Sequence, residues 1–270
     1  MKKRIGIPVS MSKTQYFLNM AYIDYLVESG FIPVAIYPGH NVKEMAKYCD
    51  GLVLPGGIDL DPIHYGYDND NSFSVDPEKD EFERAVLSAF LGVKKPIMGI
   101  CRGFQLIVRE YMAQNTHLAN EGLMDFVEHI NDHAQTSDQQ LKRSVPVHWV
   151  SYLERSLYQT GKNSVQDTPV NSMHHQCLVV NFGVEDTPQG PKAIVSYGDF
   201  HMVAWTVRGL KLEKEQPHCV VCEAVVITGW PSAVMAVQWH PEELRDKDLI
   251  QRFFNRYCKH GKSAKKAAKV

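Results

Sequence analysis

A thiol, an imidazole and a carboxylate stand in this chain in settings that suit acyl transfer. Cys101 closes the apolar run Ile97-Met98-Gly99-Ile100, with Gly99 two residues before it and Gly103 two residues after. A strand that turns sharply into a helix strains the corner residue and pushes its side chain outward. Glycine at those two flanking positions lets the backbones approach closely enough. At a helix N-terminus the dipole and the unpaired N–H groups favour thiolate over thiol. A buried cysteine at a strand end is the competing reading. A cysteine nucleophile needs a base, and the base needs an orienting partner. In Val237-Gln238-Trp239-His240-Pro241-Glu242 an apolar strand delivers His240, Pro241 stiffens the turn, and Glu242 follows two residues on. That carboxylate would fix the imidazole tautomer and stabilise the imidazolium. A surface His-Pro turn before an acidic helix start is the alternative.

The third segment is Leu54-Pro55-Gly56-Gly57-Ile58-Asp59-Leu60-Asp61-Pro62. It follows an apolar strand directly, so it emerges at the carboxyl edge of a sheet, where open α/β sheets bind ligands. Paired glycines let an N–H of Gly56 or Gly57 turn inward. With the amide of Arg102 it would form an oxyanion hole, unless the segment is only a tight turn. Asn171-Ser172-Met173-His174-His175-Gln176 leaves three readings open: metal ligation, contact with a substrate pocket, or structural hydrogen bonding. Adjacent histidines in extended chain face opposite ways, and no cysteine or carboxylate stands at zinc-site spacing. Cys219 and Cys222 have the spacing of a redox pair. They lie in a β-branched run rather than at a helix start, which favours strand-borne thiols.

The elements that must carry these residues alternate in the first half. Apolar runs at 5–9, 32–37, 51–54 and 96–100 read as strands buried on both faces. Segments 15–29, 42–48, 78–91 and 102–111 read as helices between them. Asp76 can cap the third helix and Pro77 fits its first turn. Such alternation implies a parallel sheet covered on both faces. In the second half 145–150, 193–197, 203–207, 220–227 and 233–238 read as strands joined by short turns, which suggests antiparallel pairing. A helix at 246–258 closes the pattern. The polar, His-rich stretch 122–143 reads as a loop, in a place where it could cover the site.

The 270 residues carry a net charge of −2, which gives no electrostatic case for nucleic acid or an anionic membrane as partner. No run approaches the roughly 18 apolar residues of a membrane span, and the first apolar run is too short for a signal-peptide core and has no small-residue cleavage site after it. The six cysteines at 49, 101, 177, 219, 222 and 258 are scattered, so reduced thiols in a cytoplasmic protein are expected. Residues 1–258 read as one domain and 259–270 as a basic, disordered tail.

Taken together, the motifs resemble those of the class I glutamine amidotransferase-like superfamily, and within it the γ-glutamyl-γ-aminobutyrate hydrolase family of cysteine peptidases, family C26. The resemblance rests on Pro55-Gly56-Gly57-x-Asp59-x-x-Pro62-x-x-Tyr65-Gly66 and on Asp76-x-x-x-Asp80-x-Phe82-Glu83. It rests further on Gly99-Ile100-Cys101-Arg102-Gly103-x-Gln105, Val170-Asn171-Ser172-x-His174-His175-Gln176 and Gln238-Trp239-His240-Pro241-Glu242. It covers nearly the whole chain. It implies an α/β fold of flavodoxin-like type, an open, mostly parallel sheet flanked by helices, with additional antiparallel strands in the second half. It also implies a Cys101–His240–Glu242 triad, oxyanion contacts from the backbone of Gly57 or Gly56 and of Arg102, and a γ-glutamyl pocket lined by Gln105. His174 joins these as a candidate pocket residue. The implied substrate is a small γ-glutamyl amide, cleaved without metal or organic cofactor in polyamine or amine catabolism. A homodimer is compatible with this reading.

The chain departs from the family pattern in three places. Lys79 stands where arginine is usual. The helix after Gln105 runs Leu106-Ile107-Val108-Arg109 in place of the family's asparagine and small turn residues. Cys219-Val220-Val221-Cys222 replaces an Asp-Gly before a late strand. The last two changes leave the triad intact and put the identity of the leaving amine in question. Two other functions remain in competition: a glutaminase component that passes ammonia to a partner synthetase, and a non-catalytic binding module on the same fold.

Overall fold

A computed structural model describes residues 1–65, 75–121, 124–128, 142–162, 164–174, 176–181, 184–187, 190–193, 196–206, 219–228 and 230–258. The strands of the first half are β1 (Arg4–Pro8), β2 (Ser10–Met11), β3 (Tyr16–Phe17), β4 (Ile32–Ile36), β5 (Gly51–Leu54) and β6 (Ile97–Ile100). Its helices are α1 (Met20–Glu28), α2 (Val42–Tyr48), α3 (Pro77–Gly92), α4 (Arg102–Gln114) and α5 (His117–Asn120). The second half holds β7 (Met124–Glu128), β8 (His148–Leu153), α6 (Glu154–Leu157), β9 (Val165–Val170), β10 (Gln176–Asn181), β11 (Val184–Thr187) and β12 (Gly190–Ala193). It ends with β13 (Ser196–Tyr197), β14 (Phe200–Thr206), β15 (Cys219–Ile227), β16 (Val234–Val237), α7 (Pro241–Leu244) and α8 (Lys247–Tyr257).

One sheet runs β4-β1-β5-β6-β16-β15-β14-β8-β9, with β10 and β13 attached to β15 and β14, and β7 attached to β10. The pairs from β4 to β16 are parallel and those beyond β16 antiparallel. This is the mixed α/β architecture expected from the sequence. Alternation along the strands sends Ile5, Ile7 and Val53 to one face, where Leu26 of α1 and Phe253 and Phe254 of α8 cover them. Leu52 and Leu54 face the other way, against Val86 and Phe90 of α3 and Phe104 and Ile107 of α4. No described helix is long and apolar enough to cross a membrane.

Helix α3 begins as its sequence dictates, with the Asp76 side chain accepting from the N–H of Lys79 and Pro77 in the first turn. Three expectations change. Strand β4 lies at the sheet edge and is only partly covered, so it is not buried on both faces. The helix expected over 15–29 starts at Met20, because Asn19 caps it and residues 10–17 form a two-stranded turn instead. The strand expected at 145–150 starts at His148, two residues beyond Pro146, which has no N–H to give a ladder. Strands β9 and β10, unassigned in the sequence, extend the antiparallel half, and Pro169 fits β9 because β9 is an edge. Within 122–143, Met124–Glu128 pairs with β10; residues 129–141 and the tail 259–270 lie outside the described residues.

Candidate active site

Three neighbouring parallel strands bring the chemical groups together. Leu54 of β5 stands beside Gly99 of β6, and Ile100 of β6 beside Val237 of β16. The Pro55-Gly56-Gly57 loop, Cys101 and the turn to His240 therefore leave the same edge of the sheet. Cys101 is the corner between β6 and α4, with φ 52° and ψ −108°. Such a backbone costs a non-glycine residue on the order of 1–3 kcal/mol and persists only where its surroundings hold it. The flanking glycines show how it is held. A Cβ on Gly103 would stand 2.3 Å from the Leu54 carbonyl oxygen, and one on Gly99 would stand 2.6 Å from that of Gly103. No other residue fits either place.

His240 Nδ1 lies 2.7 Å from Glu242 Oε1, and both side chains are buried. With Glu242 accepting at Nδ1, the ring leaves Nε2 for the thiol. Burial alone lowers the imidazole pKa, but the charges of Glu242 and Cys101 and their hydrogen bonds outweigh it and raise it to about 10. The ring therefore holds a proton at neutral pH. Asn171 fixes the backbone beneath it: His240 N–H donates to Asn171 Oδ1 at 3.1 Å, and Asn171 Nδ2 donates to the His240 carbonyl at 3.2 Å. The same Nδ2 donates to the Arg143 carbonyl at 2.8 Å, and Arg143 Nε donates to Glu243 at 2.6 Å.

The glycine loop divides its labour. Gly56 N–H donates to Tyr22 Oη at 2.8 Å, so it is taken up and Gly56 does not serve as an oxyanion donor. Its bare Cα instead lets the loop pass close to His240 and Cys101. A Cβ there would lie 2.6 Å from Tyr22 Oη, 2.9 Å from His240 Cε1 and 3.4 Å from Cys101 Cβ. The N–H groups of Gly57 and Arg102 donate to no described group, which leaves this pair as the candidate donors. Tyr22, from α1, is a site residue that no motif announced. Its buried hydroxyl lies 3.5 Å from His240 Nδ1, and burial, reinforced by the charges of Glu242 and Cys101, pushes its pKa well up. The Arg102 side chain points away from Cys101 and is fully buried, paired with Asp80 and Glu83 of α3. Lys79 lies beside them, its Nζ donating to Ser10 Oγ at 2.7 Å.

The remaining expected residues serve the walls. Gln105 is fully buried, with Nε2 donating to Asp59 Oδ1 at 2.7 Å and Oε1 accepting from Leu60 N–H at 3.4 Å. Its amide pins the glycine loop. His174 is fully buried, its Nδ1 2.9 Å from the Gln176 carbonyl, and Gln176 Nε2 donates to the Leu60 carbonyl at 3.2 Å. The segment after β9 thus reaches from the His240 turn, through Asn171, to the glycine loop, through Gln176. His175 lies outside the described residues. Cys222 is a buried thiol on β15 whose pKa burial pushes well up, as a strand-borne structural cysteine requires.

A family comparison agrees with this geometry. The Peptidase C26 model matches residues 4–242. The chain belongs to the Peptidase C26 family. Among relatives, the glutamine amidotransferase-like protein YvdE of Lactococcus lactis is 28% identical, over 92% of this chain and 92% of that one. The γ-glutamyl-γ-aminobutyrate hydrolase PuuD of Escherichia coli is 26% identical, over 90% of this chain and 87% of that one. The fold is also that of the glutaminase domain of CTPS from Trypanosoma brucei, with a TM-score of 0.51 at 14% identity, covering 95% of this chain and 94% of that one. This Peptidase C26 protein is accordingly a hydrolase on the glutamine amidotransferase fold.

Proposed function

We propose that this chain hydrolyses the γ-glutamyl amide bond of a small γ-glutamyl amine through Cys101, His240 and Glu242. The observation that carries the reading is the strained Cys101 corner facing an imidazole that Glu242 holds at 2.7 Å. In this mechanism Cys101 Sγ attacks the γ-carbonyl carbon, and its proton resides on His240. The carbonyl oxygen becomes an oxyanion that accepts from the N–H groups of Gly57 and Arg102. Collapse breaks the C–N bond, and His240 gives its proton to the departing amine. Water then loses a proton to His240 and attacks the glutamyl thioester. Glutamate leaves and the proton returns to the thiol. The 26% identity to PuuD supports γ-glutamyl-GABA as the first substrate to try.

The test is glutamate release from γ-glutamyl-GABA, several other γ-glutamyl amines and glutamine, with Cys101→Ala alongside. Release from one γ-glutamyl amine that depends on Cys101, with glutamine nearly untouched, is the expected result. Glutamine cleaved in preference to every amine would replace the reading with a glutaminase component. No release from any of them would leave a binding module.

A further inference from the structure

Gly57 lacks a side chain at a point where an ammonium takes the space. A Cβ on Gly57 would stand 2.7 Å from Lys79 Nζ and 3.3 Å from Arg102 Cδ. A cation therefore lies directly against one of the two residues whose N–H groups are the candidate oxyanion donors. Lys79 reaches this place from the first turn of α3, where its own N–H is held by the Asp76 cap. Its side chain is only 7% exposed, and a cation buried that far needs partners to offset the lost hydration. Nζ donates to Ser10 Oγ at 2.7 Å and lies 3.8 Å from Glu83 Oε1, one turn along α3. Strand β2 and helix α3 together thus hold the ammonium against the glycine loop.

The charges around Lys79 are not spread evenly. Asp80 and Glu83 meet Arg102 at its guanidinium nitrogens. Gly57 meets the same arginine at Cδ, and the other atoms closest to its missing Cβ are Nζ and Cε of Lys79. The cluster therefore turns an ammonium toward the loop, and no carboxylate oxygen is among those closest atoms. Balancing Asp80 and Glu83 with Arg102 and Lys79 accounts for an ammonium somewhere in the cluster. It does not account for the contact of that ammonium with Gly57.

We propose that Lys79 is a positioning residue of the oxyanion site: its ammonium fixes Gly57 and adds positive potential behind the Gly57 N–H. The inference rests on the acyl-transfer reading of Cys101. As the carbonyl oxygen gains charge, a cation already held in place favours it without any reorganisation. The same cation does little for the neutral carbonyl of the bound substrate, so its effect falls on the chemical step and not on binding.

Two rates measured on the full chain test it: glutamate release from the best γ-glutamyl amide, and alkylation of Cys101 by iodoacetamide, located by mass spectrometry. Alkylation uses the same nucleophile and forms no oxyanion. Lys79→Met removes the charge and keeps the length, and Lys79→Arg keeps the charge; circular dichroism checks both folds. Lys79→Gln, uncharged but still a donor to Ser10, replaces Lys79→Met if that protein does not fold. The uncharged variant should lose about tenfold in kcat, with KM and the alkylation rate each within about twofold of wild type. Lys79→Arg should keep most of kcat. Equal losses in kcat and alkylation would overturn the proposal, since the lysine would then only hold the shape of the site. An unchanged kcat in the uncharged variant would overturn it too, as would a Lys79→Arg protein no faster than that variant. No glutamate release by the wild type from any amide would overturn the hydrolase reading itself. Release that is indifferent to Lys79 would leave that reading standing and remove only this inference.

Discussion

Around Cys101 the deciding contacts are made by groups with no room to move. Gly56 shows this best, since any Cβ would press on His240 Cε1 and Tyr22 Oη together. Gly56→Ala should therefore lower kcat on the order of 10²-fold by displacing the imidazole, with the fold retained; steady-state kinetics at normal activity would refute it. Tyr22→Phe removes both the acceptor of Gly56 N–H and a hydroxyl beside Glu242 and His240. We expect roughly a tenfold or larger loss in kcat, while KM changes little, because the hydroxyl lies beside the proposed base His240 and holds the Gly56 N–H. Glu242 sets the pH behaviour. The His240 imidazolium, with its pKa raised to about 10, is present at neutral pH and is lost as pH rises through that value. Activity that uses this proton on the leaving amine should fall on the alkaline side near pH 10. Glu242→Gln removes the larger of the two raising charges, so the alkaline limb should move down in pH; a limb that stays in place would disprove the role of the pair. The same sign applies to stability. Stabilisation from this raised pKa is fully present below the ordinary histidine value and disappears as pH climbs through about 10. Cys101, His240 and Glu242 were legible in the sequence because each sits in a short local pattern. Tyr22 and Asn171 as partners of His240 were not, because those bonds close over 218 and 69 residues of chain.

Among the elements, helices α3 and α4 are joined by a buried charge cluster. Arg102 pairs with Asp80 and Glu83, Lys79 lies 3.8 Å from Glu83, and His64 lies 3.3 Å from Asp80. Burial lowers the Lys79 pKa and by itself lowers that of Arg102, but the two carboxylates reverse the effect for Arg102. The cluster ties the helix that starts after Cys101 to the helix that backs the glycine loop. Arg102→Met leaves two buried carboxylates without their main cation, and a loss of about 3–5 kcal/mol in urea unfolding is expected. A change below about 1 kcal/mol would show that the cluster is not what holds α3 to α4. The motif Asp76-x-x-x-Asp80-x-Phe82-Glu83 was visible in the sequence, and the Asp76 cap is local enough to read. That Asp80 and Glu83 face Arg102 was not readable, since it depends on how α3 packs on α4. Element boundaries failed where short-range chemistry competed with periodicity, at Asn19 and at Pro146.

For the molecule as a whole, the sheet continues without a break from the parallel strands into the antiparallel ones. The parallel half was legible because strand and helix patterns alternate there, each with its own period. The antiparallel half was harder: β9 and β10 are short, interrupted by proline or bounded by polar residues, and defined by partners far away in sequence. Strand β15 is the hinge of the design. Its first half pairs with β10 and its second half with β16, while β14 runs along the other side. With β16 hydrogen-bonded to β6 in turn, neither half has an edge at which it could detach. We therefore propose that residues 1–258 unfold as one unit. Two fully buried thiols report on the halves separately, Cys49 beside the parallel strands and Cys222 on β15. Burial holds both pKa values up, that of Cys49 to about 11, so each stays unreactive until its surroundings open. Pulsed thiol labelling across a urea series should give one midpoint for both cysteines, coincident with the loss of circular dichroism. A lower midpoint for Cys222 would mean that the antiparallel half opens first. It would then be a separate unit added to the sheet that carries Cys101.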